Sequence, residues 1–142
     1  GVLPGGGIDH RTLHLMDFMP TVVDIAGARY PSTRQGQPVH PMQGQSFADV
    51  LQGDVSAPAS TDRWLFWEFQ GHRAARHGNW KIVDDESTGP WELYDMASDR
   101  TELHDLASAH PDVVQQMSAA WSAWKARVGV RTWSPTREYR PT

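Results

Sequence analysis

Four short strand-like runs, three of them rich in aromatic and apolar residues, are separated by turns in the middle of the chain. The runs cover residues 64–69, 73–77, 80–83 and 91–94, and the intervening turns hold glycine and polar residues, as in His77-Gly78-Asn79. Runs of this length, joined by turns of a few residues, are typical of consecutive antiparallel strands. The spacing therefore predicts a four-stranded antiparallel meander, and such a small sheet needs a cover on one face.

A long amphipathic segment after these runs supplies the cover. Pro111 and Asp112 at its start, and Lys125 and Arg127 before Gly129 at its end, are typical of helix termini. Between them, apolar residues recur at helical spacing and form one continuous stripe. The stripe consists of Val114, Met117, Trp121, Trp124 and Val128.

Composition supports a folded core and narrows the choice of partners. With 142 residues, 39% hydrophobic and 21% charged, the chain is long enough for one domain with a core. The net charge of -4 argues against nucleic acid or an anionic membrane as the main partner, and no apolar run approaches the ~18 residues of a membrane span. Of the tryptophans, Trp67 and Trp133 are expected to be exposed. The expected core members are Trp64, Trp80, Trp91, Trp121 and Trp124.

The first 60 residues carry a separate apolar pattern. Asp17 as N-cap, Pro20 in the first turn and Gly27 as a stop predict a helix over 17–27, and a short helix is expected at 46–52. The segment between them is rich in proline and glycine and is expected to be loop. The first helix is apolar over more than half its surface, as if it were covered on two sides. Residues 54–62 have the composition of a linker, and residues 131–142 that of a tail.

Five segments, taken in order, carry a family resemblance. They are M-D-F-M-P-T-V-V-D-I-A-G-A at 16–28, M-Q-G-Q-S-F-A-D-V-L-Q-G at 42–53, W-E-F-Q-G-H-R-A-A-R-H-G-N-W-K-I-V at 67–83, W-E-L-Y-D-M-A-S-D-R-T-E-L-H-D-L at 91–106, and the helix that follows. Together they resemble the carboxy-terminal region of bacterial arylsulfatases, in the alkaline-phosphatase-like superfamily. The resemblance covers residues 13–130, and it implies a chain that starts inside a longer protein.

The resemblance and the patterns together give one expected architecture. The fold class is α+β: a small four-stranded antiparallel sheet covered by a long C-terminal helix over residues 61–130. Helical remnants of an α/β catalytic domain precede it in residues 1–60, with the helix at 17–27, a loop and the short helix at 46–52. The resemblance leaves the compartment open between bacterial cytoplasm and periplasm.

The family's chemistry lies elsewhere in its sequence. The resemblance implies sulfate-ester hydrolysis by a formylglycine, made from the Cys or Ser of a Cys/Ser-x-Pro-x-Arg motif, with a divalent cation, usually calcium, held by Asp and Asn. This chain has no cysteine, and Ser134-Pro135-Thr136-Arg137 has its proline one position too early. The expectation is therefore no catalytic residue, metal ligand or cofactor in this chain, and no activity for it alone.

One basic cluster is a candidate site. His72, Arg73 and Arg76, with His77 and Lys81 nearby, could form the rim of a sulfate-ester pocket, because arginine engages tetrahedral oxyanions well. Alternation along a strand divides the cluster between two faces. A solvated hairpin is therefore the favoured interpretation, with the anion rim as the alternative.

The acidic residues favour structural roles. Asp84-Asp85-Glu86 could attract calcium, but it lacks a spaced ligand pattern and is expected to be a solvated turn. The histidines show no zinc-ligand spacing. Turn and helix-capping roles are expected for a further acidic set. The set consists of Asp95, Asp99, Glu102 and Asp105.

Three hypotheses for function follow. The first is a carboxy-terminal subdomain of an arylsulfatase, with the missing N-terminal catalytic domain as partner and self-association of the isolated chain through its uncovered apolar surface. The second is a stand-alone module that binds sulfated ligands. The third is the equivalent part of a phosphodiesterase or phosphonate hydrolase of the same superfamily.

Overall fold

A computed structural model describes residues 8, 10–53, 62–85, 89–131 and 133. The chain divides into two compact units, residues 1–60 and residues 61–142. Most of the predicted linker and most of the predicted tail lie outside the described residues. Among the described residues, no helix combines the length and the apolarity that a bilayer crossing requires.

The first unit contains short elements. A 3-10 helix at Leu15–Asp17 leads directly into α1, Phe18–Ile25, and a second short helix, α2, covers Ala48–Leu51. Both helices predicted for this region are present, and each is shorter than expected. Asp17 is the N-cap residue of α1, as predicted, but its side chain makes no capping hydrogen bond to that helix. Its carboxylate instead closes the preceding 3-10 turn by accepting a hydrogen bond from the His14 amide.

The predicted loop of this unit contains a small hairpin. Strand β1, Thr33–Arg34, pairs antiparallel with β2, Gln37–Pro38. The two turn residues, Gln35 and Gly36, both have positive φ, at 51° and 77°. Two consecutive left-handed residues match the right-handed twist of a tight hairpin, which explains the glycine at this point.

The second unit is the predicted meander under a helix. Its strands are β3, Trp64–Phe69; β4, His72–His77; β5, Trp80–Asp84; and β6, Glu92–Asp95, all antiparallel and in the order β3-β4-β5-β6. Helix α3 covers Pro111–Val128 and ends at Gly129, which adopts the left-handed conformation. The predicted α+β fold class is confirmed.

The core of this unit lies between the sheet and α3. Ala75, Ile82 and Leu93 occupy one row across the sheet and are fully buried, and Met117 and Trp121 of α3 pack on that row. All the tryptophans that were predicted to be core lie in or against this cluster. Trp133 is 47% exposed, as predicted. The prediction for Trp67 is wrong, because this residue is half-buried.

The segment after β6 caps the outer edge of the sheet. The Leu93 amide donates to the Asp105 carboxylate at 2.9 Å, and the Leu93 carbonyl accepts from the Leu106 amide at 2.8 Å. The Asp95 carbonyl accepts from the Asp99 amide at 2.7 Å. Backbone groups that another strand could use are thus already paired within the chain.

Candidate functional site

Strand β4 divides the basic cluster between the two faces of the sheet. Arg73 lies on the same face as Ala75, which packs in the core beneath α3. His72 and Arg76 lie on the opposite face. The alternation inferred from the sequence is therefore present, and the three candidate rim residues do not converge on one surface.

Arg73 pairs with an interior carboxylate. Its Nε donates to Asp84 Oδ2 at 2.7 Å, and its Nη2 donates to the same oxygen. The guanidinium carbon lies 4.5 Å from the centre of the Trp91 ring and 5.5 Å from that of Trp121. Aromatic faces attract a cation held in this way. Arg73 thus lies on the core side of the sheet with 23% of its side chain exposed, and its place in a substrate rim stays a prediction.

Asp84, the partner of Arg73, does not lie in the solvated turn that was predicted for Asp84-Asp85-Glu86. The side chain of Asp84 is 1% exposed, so this residue is part of the interior and not of a solvated turn. Asp85 is exposed, as predicted, and Glu86 lies outside the described residues. The cation of Arg73 explains how a carboxylate can be buried here, because a buried charge needs a partner of opposite sign.

His72 and Arg76 lie on the outer face. The His72 Nδ1 is 3.1 Å from Asp85 Oδ1, and both side chains are at least half exposed. The Arg76 Nε donates to the Gly78 carbonyl at 3.2 Å. Burial lowers the pKa of the Arg76 guanidinium, and the positive charge of Arg100 lowers it further. Arg76 is therefore a partly desolvated cation with one positive neighbour, Arg100, and one negative neighbour, Glu102.

The remaining basic side chains of the cluster have partners. The Lys81 Nζ lies 2.5 Å from Glu102 Oε1, with both side chains mostly buried. The His77 Nε2 lies 2.9 Å from Asp62 Oδ1, and the His77 ring stacks on Trp64 at 4.3 Å between centroids. These contacts connect strands to loops. They account for the basic residues through local structure.

Three members of the acidic set have the predicted turn roles, whereas Glu102 pairs with Lys81. Asp95 accepts from the Ala97 amide, Asp99 from the amides of Leu103 and His104, and Asp105 from the Ala107 amide. These backbone hydrogen bonds, foremost that of His104, lower the pKa of Asp99. Within the described ranges, no three His, Asp or Glu side chains are placed to hold a metal ion.

Tyr94 is a buried titratable group on the outer face of the sheet. Its hydroxyl donates to the Glu92 carboxylate at 2.7 Å, and the residue is 7% exposed. Burial raises the pKa of the Tyr94 phenol, and the neighbouring Glu92 raises it further. The phenol therefore stays neutral and acts as a hydrogen-bond donor.

A polar network in the first unit was missed by the sequence analysis. The fully buried Asp17 carboxylate accepts from the amides of His14 at 2.7 Å and Gln45 at 2.9 Å. The Thr21 hydroxyl donates to the Asp17 carbonyl at 2.6 Å and accepts from the Phe47 amide at 3.1 Å. These bonds tie α1 to residues 45–47, which lie more than twenty positions away in sequence.

The same helix has its apolar side outward. Asp17, Pro20 and Thr21 are buried, whereas each residue of a neighbouring set is more than half exposed. We name this set the apolar stripe; it consists of Leu15, Phe18, Met19, Val22 and Ile25. The sequence signal for it was the excess of apolar residues around the helix.

Comparison with known proteins places this arrangement in a class. No family model matches the chain. Its fold resembles that of Ps i-CgsB, with a TM-score of 0.67, 18% identity and coverage of 87% of this chain and 26% of the other. A 2-O GAG sulfatase gives a TM-score of 0.54 at 22% identity, covering 84% and 27%. The fold is thus the α+β arrangement found within these larger proteins.

Sequence relatives identify the family. An uncharacterized sulfatase of Schizosaccharomyces pombe is 34% identical over 129 residues, which are 88% of this chain and 23% of that protein. Arylsulfatase K of Xenopus laevis is 30% identical over 125 residues, covering 82% and 22%. The chain spans less than a quarter of the length of these relatives. This chain belongs to the sulfatase family and corresponds to the carboxy-terminal region of a sulfatase.

Proposed function

We propose that this chain is the structural carboxy-terminal part of a sulfate-ester hydrolase. It completes and shapes the catalytic domain of the whole protein, and it hydrolyses no ester on its own. The observation that carries the proposal is the alignment of 88% of this chain to 23% of a sulfatase. The missing N-terminal catalytic domain is the partner in this proposal.

The contacts of the second unit support a structural role. Its most deeply placed charges, Arg73 and Asp84, neutralise each other beneath the rings of Trp91 and Trp121. A group that reacts with substrate must be accessible to it and must carry a pKa suited to proton transfer or nucleophilic attack. A paired cation and carboxylate in the interior stabilise a fold instead.

The cofactors of the family do not fit this chain. Formylglycine requires the cysteine or serine of its motif, and the chain has neither a cysteine nor a Ser-x-Pro-x-Arg sequence. A calcium site requires several oxygen ligands around one point, and the described residues bring no such group together. In the whole enzyme, both groups would be held by residues outside this chain.

The proposal is tested with the complete reading frame that encodes this chain. Three proteins are compared: the complete protein, the complete protein lacking residues 61–142, and the isolated 142-residue chain. We expect 4-nitrophenyl sulfate hydrolysis only from the complete protein. Removal of a packed unit from an enzyme should abolish both activity and a cooperative unfolding transition.

One outcome would contradict the proposal, and another would favour its alternative. Hydrolysis of the sulfate ester by the purified isolated chain would contradict the structural role. A complete protein that hydrolyses a phosphonate monoester or a phosphodiester, and no sulfate ester, would favour the alternative within the superfamily.

The outer-face residues are tested in the same assay. A contribution of His72, Arg73 or Arg76 to the substrate rim stays a prediction. For the two outer-face residues, it implies that H72A and R76A raise KM in the complete enzyme. Because both side chains lie outside the core, the free energy of unfolding should fall by no more than about 1 kcal/mol. An unchanged KM in both variants would exclude the rim role.

The stand-alone alternative has its own test. A module that binds sulfated ligands would bind 4-nitrophenyl sulfate saturably as the isolated chain, and R76A would weaken this binding. We expect no saturable binding.

A further inference from the structure

We infer that the apolar stripe of α1 is the surface through which this chain packs against the preceding part of the sulfatase chain. The inference rests on the proposed function and names the surface that the function requires. The stripe is uncovered in the structure: Phe18 and Met19 are each 57% exposed, Val22 is 61% exposed, and Ile25 is 55% exposed.

The orientation of α1 is fixed by its polar side. Asp17 and Thr21 are buried, and their hydrogen bonds to Gln45 and Phe47 hold the helix against its own chain. The Asp24 carboxylate, near the end of the helix, accepts from the Ser46 hydroxyl at 2.6 Å. The helix therefore cannot turn its apolar side inward without breaking these bonds.

This arrangement reverses the usual amphipathic helix. A surface helix of a single domain normally buries its apolar side and exposes its polar side. Here residues at i, i+3, i+4 and i+7 are apolar and exposed, beginning at Leu15. The Phe18 ring also meets Phe47 edge to face, with 5.8 Å between centroids, which extends the patch beyond the helix. Contiguous exposed patches of this kind mark interfaces.

The length of the relatives supports the preceding part of the sulfatase chain as the occupant of the apolar stripe. About three quarters of the S. pombe sulfatase lies outside the part that aligns to this chain, since that part is 23% of its length. The helix lies in the unit nearest that preceding part, within residues 1–60. An apolar, preoriented helix face suits a permanent contact with a large folded domain, because its orientation needs no ordering on association. A second copy of this chain is the competing occupant.

Single-cysteine labelling tests the surface directly, because the chain contains no cysteine. V22C places a thiol in the stripe, and Q116C places one on an exposed position of α3 as a matched control. Each 142-residue chain is purified alone and co-expressed with the preceding part of the same sulfatase. Maleimide labelling of the 142-residue chain is then followed by mass spectrometry.

We expect rapid labelling of both thiols in the isolated chain at low concentration. In the co-expressed complex, V22C should label at least about tenfold more slowly, because a packed thiol reacts only after local opening, and Q116C should be unchanged. In addition, V22E should abolish co-purification, while Q116E should preserve it. The amide shift of Gln45 reports whether the first unit stays folded in each variant.

The other outcomes separate the two claims. A complex that hydrolyses aryl sulfate while V22C still labels rapidly would overturn the surface and leave the proposed function intact. Protection of V22C in the isolated chain that rises with its concentration would make a second copy the occupant and overturn the inference. Failure of the two parts to associate would overturn both the proposed function and the surface.

Discussion

Replacing Arg73 by methionine should destabilise the second unit more than replacing its partner. The methionine keeps much of the apolar stem of arginine and removes the cation. The Asp84 carboxylate, with 1% of its side chain exposed, would then lack this counter-charge in the interior. In the reverse variant, D84N, the Arg73 side chain is 23% exposed and can turn its guanidinium toward water.

The structure sets the magnitudes. Breaking a buried ion pair by removing one partner costs about 3–5 kcal/mol, and loss of the cation over the Trp91 ring adds about 0.5–2 kcal/mol. We therefore expect a loss of about 3–5 kcal/mol or more for R73M. For D84N, an amide still accepts one hydrogen bond, so the expected loss is about 1–2 kcal/mol. The double variant leaves no unpaired buried charge and should be more stable than R73M.

Tryptophan fluorescence during urea unfolding measures this difference. Every tryptophan of the chain lies at position 64 or beyond, so the emission reports the second unit. R76A is the matched control on the same strand. R76A removes the hydrogen bond from the Arg76 Nε to the Gly78 carbonyl. The expected loss in the free energy of unfolding is about 1 kcal/mol.

A double-mutant cycle measures the coupling free energy between Arg73 and Asp84. Coupling between Arg73 and Asp84 of about 2 kcal/mol, with the double variant recovering stability relative to R73M, is the expected result. Equal losses for R73M and D84N that simply add would refute the asymmetry, and with it the view that burial of the carboxylate dominates the energetics of the pair.

Three further variants test the titratable groups and the polar network. The raised pKa of Tyr94 means that its stabilisation is present below the ordinary value of 10.0 and lost above it, so Y94F should flatten the alkaline fall of the urea midpoint, and an unchanged slope would contradict this. The lowered pKa of Asp99 means that its stabilisation is present above 3.8 and lost as pH falls further. D99N should remove this acid dependence. If the stability of D99N fell with pH as steeply as that of the unchanged chain, this reasoning would be contradicted. D17A should cost about 3 kcal/mol, since it breaks two charged hydrogen bonds, and should speed amide exchange of Gln45; D49A, at an exposed position, is the control, and equal exchange in both would disprove the role.

The sheet and its cover were predictable because their signals are local. Alternation along 64–94 specifies both the strands and the faces on which their side chains lie. The recurrence that includes Met117 and Trp121 specifies the helix and the side that meets the sheet. Glycine and proline mark the ends of these elements. For the four-stranded sheet and α3, the structure therefore agrees with the prediction.

The candidate site was less predictable because its partners are distant in sequence. Asp84 begins an acidic run typical of a turn, and only its pairing with Arg73, eleven positions earlier, explains its burial. Asp17 precedes an apolar helix as an N-cap would, but its carboxylate reaches the amide of Gln45, 28 positions away. Spacing along the chain holds no information on the Asp17 contact, whereas Arg73 and Asp84 are opposite each other in the register of β4 and β5.

The capped edge of β6 also limits how copies of this chain could polymerise. Endless growth by strand addition needs two free edges on every sheet, and three backbone groups of Leu93 and Asp95 are already engaged. At the other edge, the Trp67 carbonyl accepts from the Trp121 indole. Strand exchange through β3 alone would stop at two molecules, so we expect the sheet to resist fibril formation.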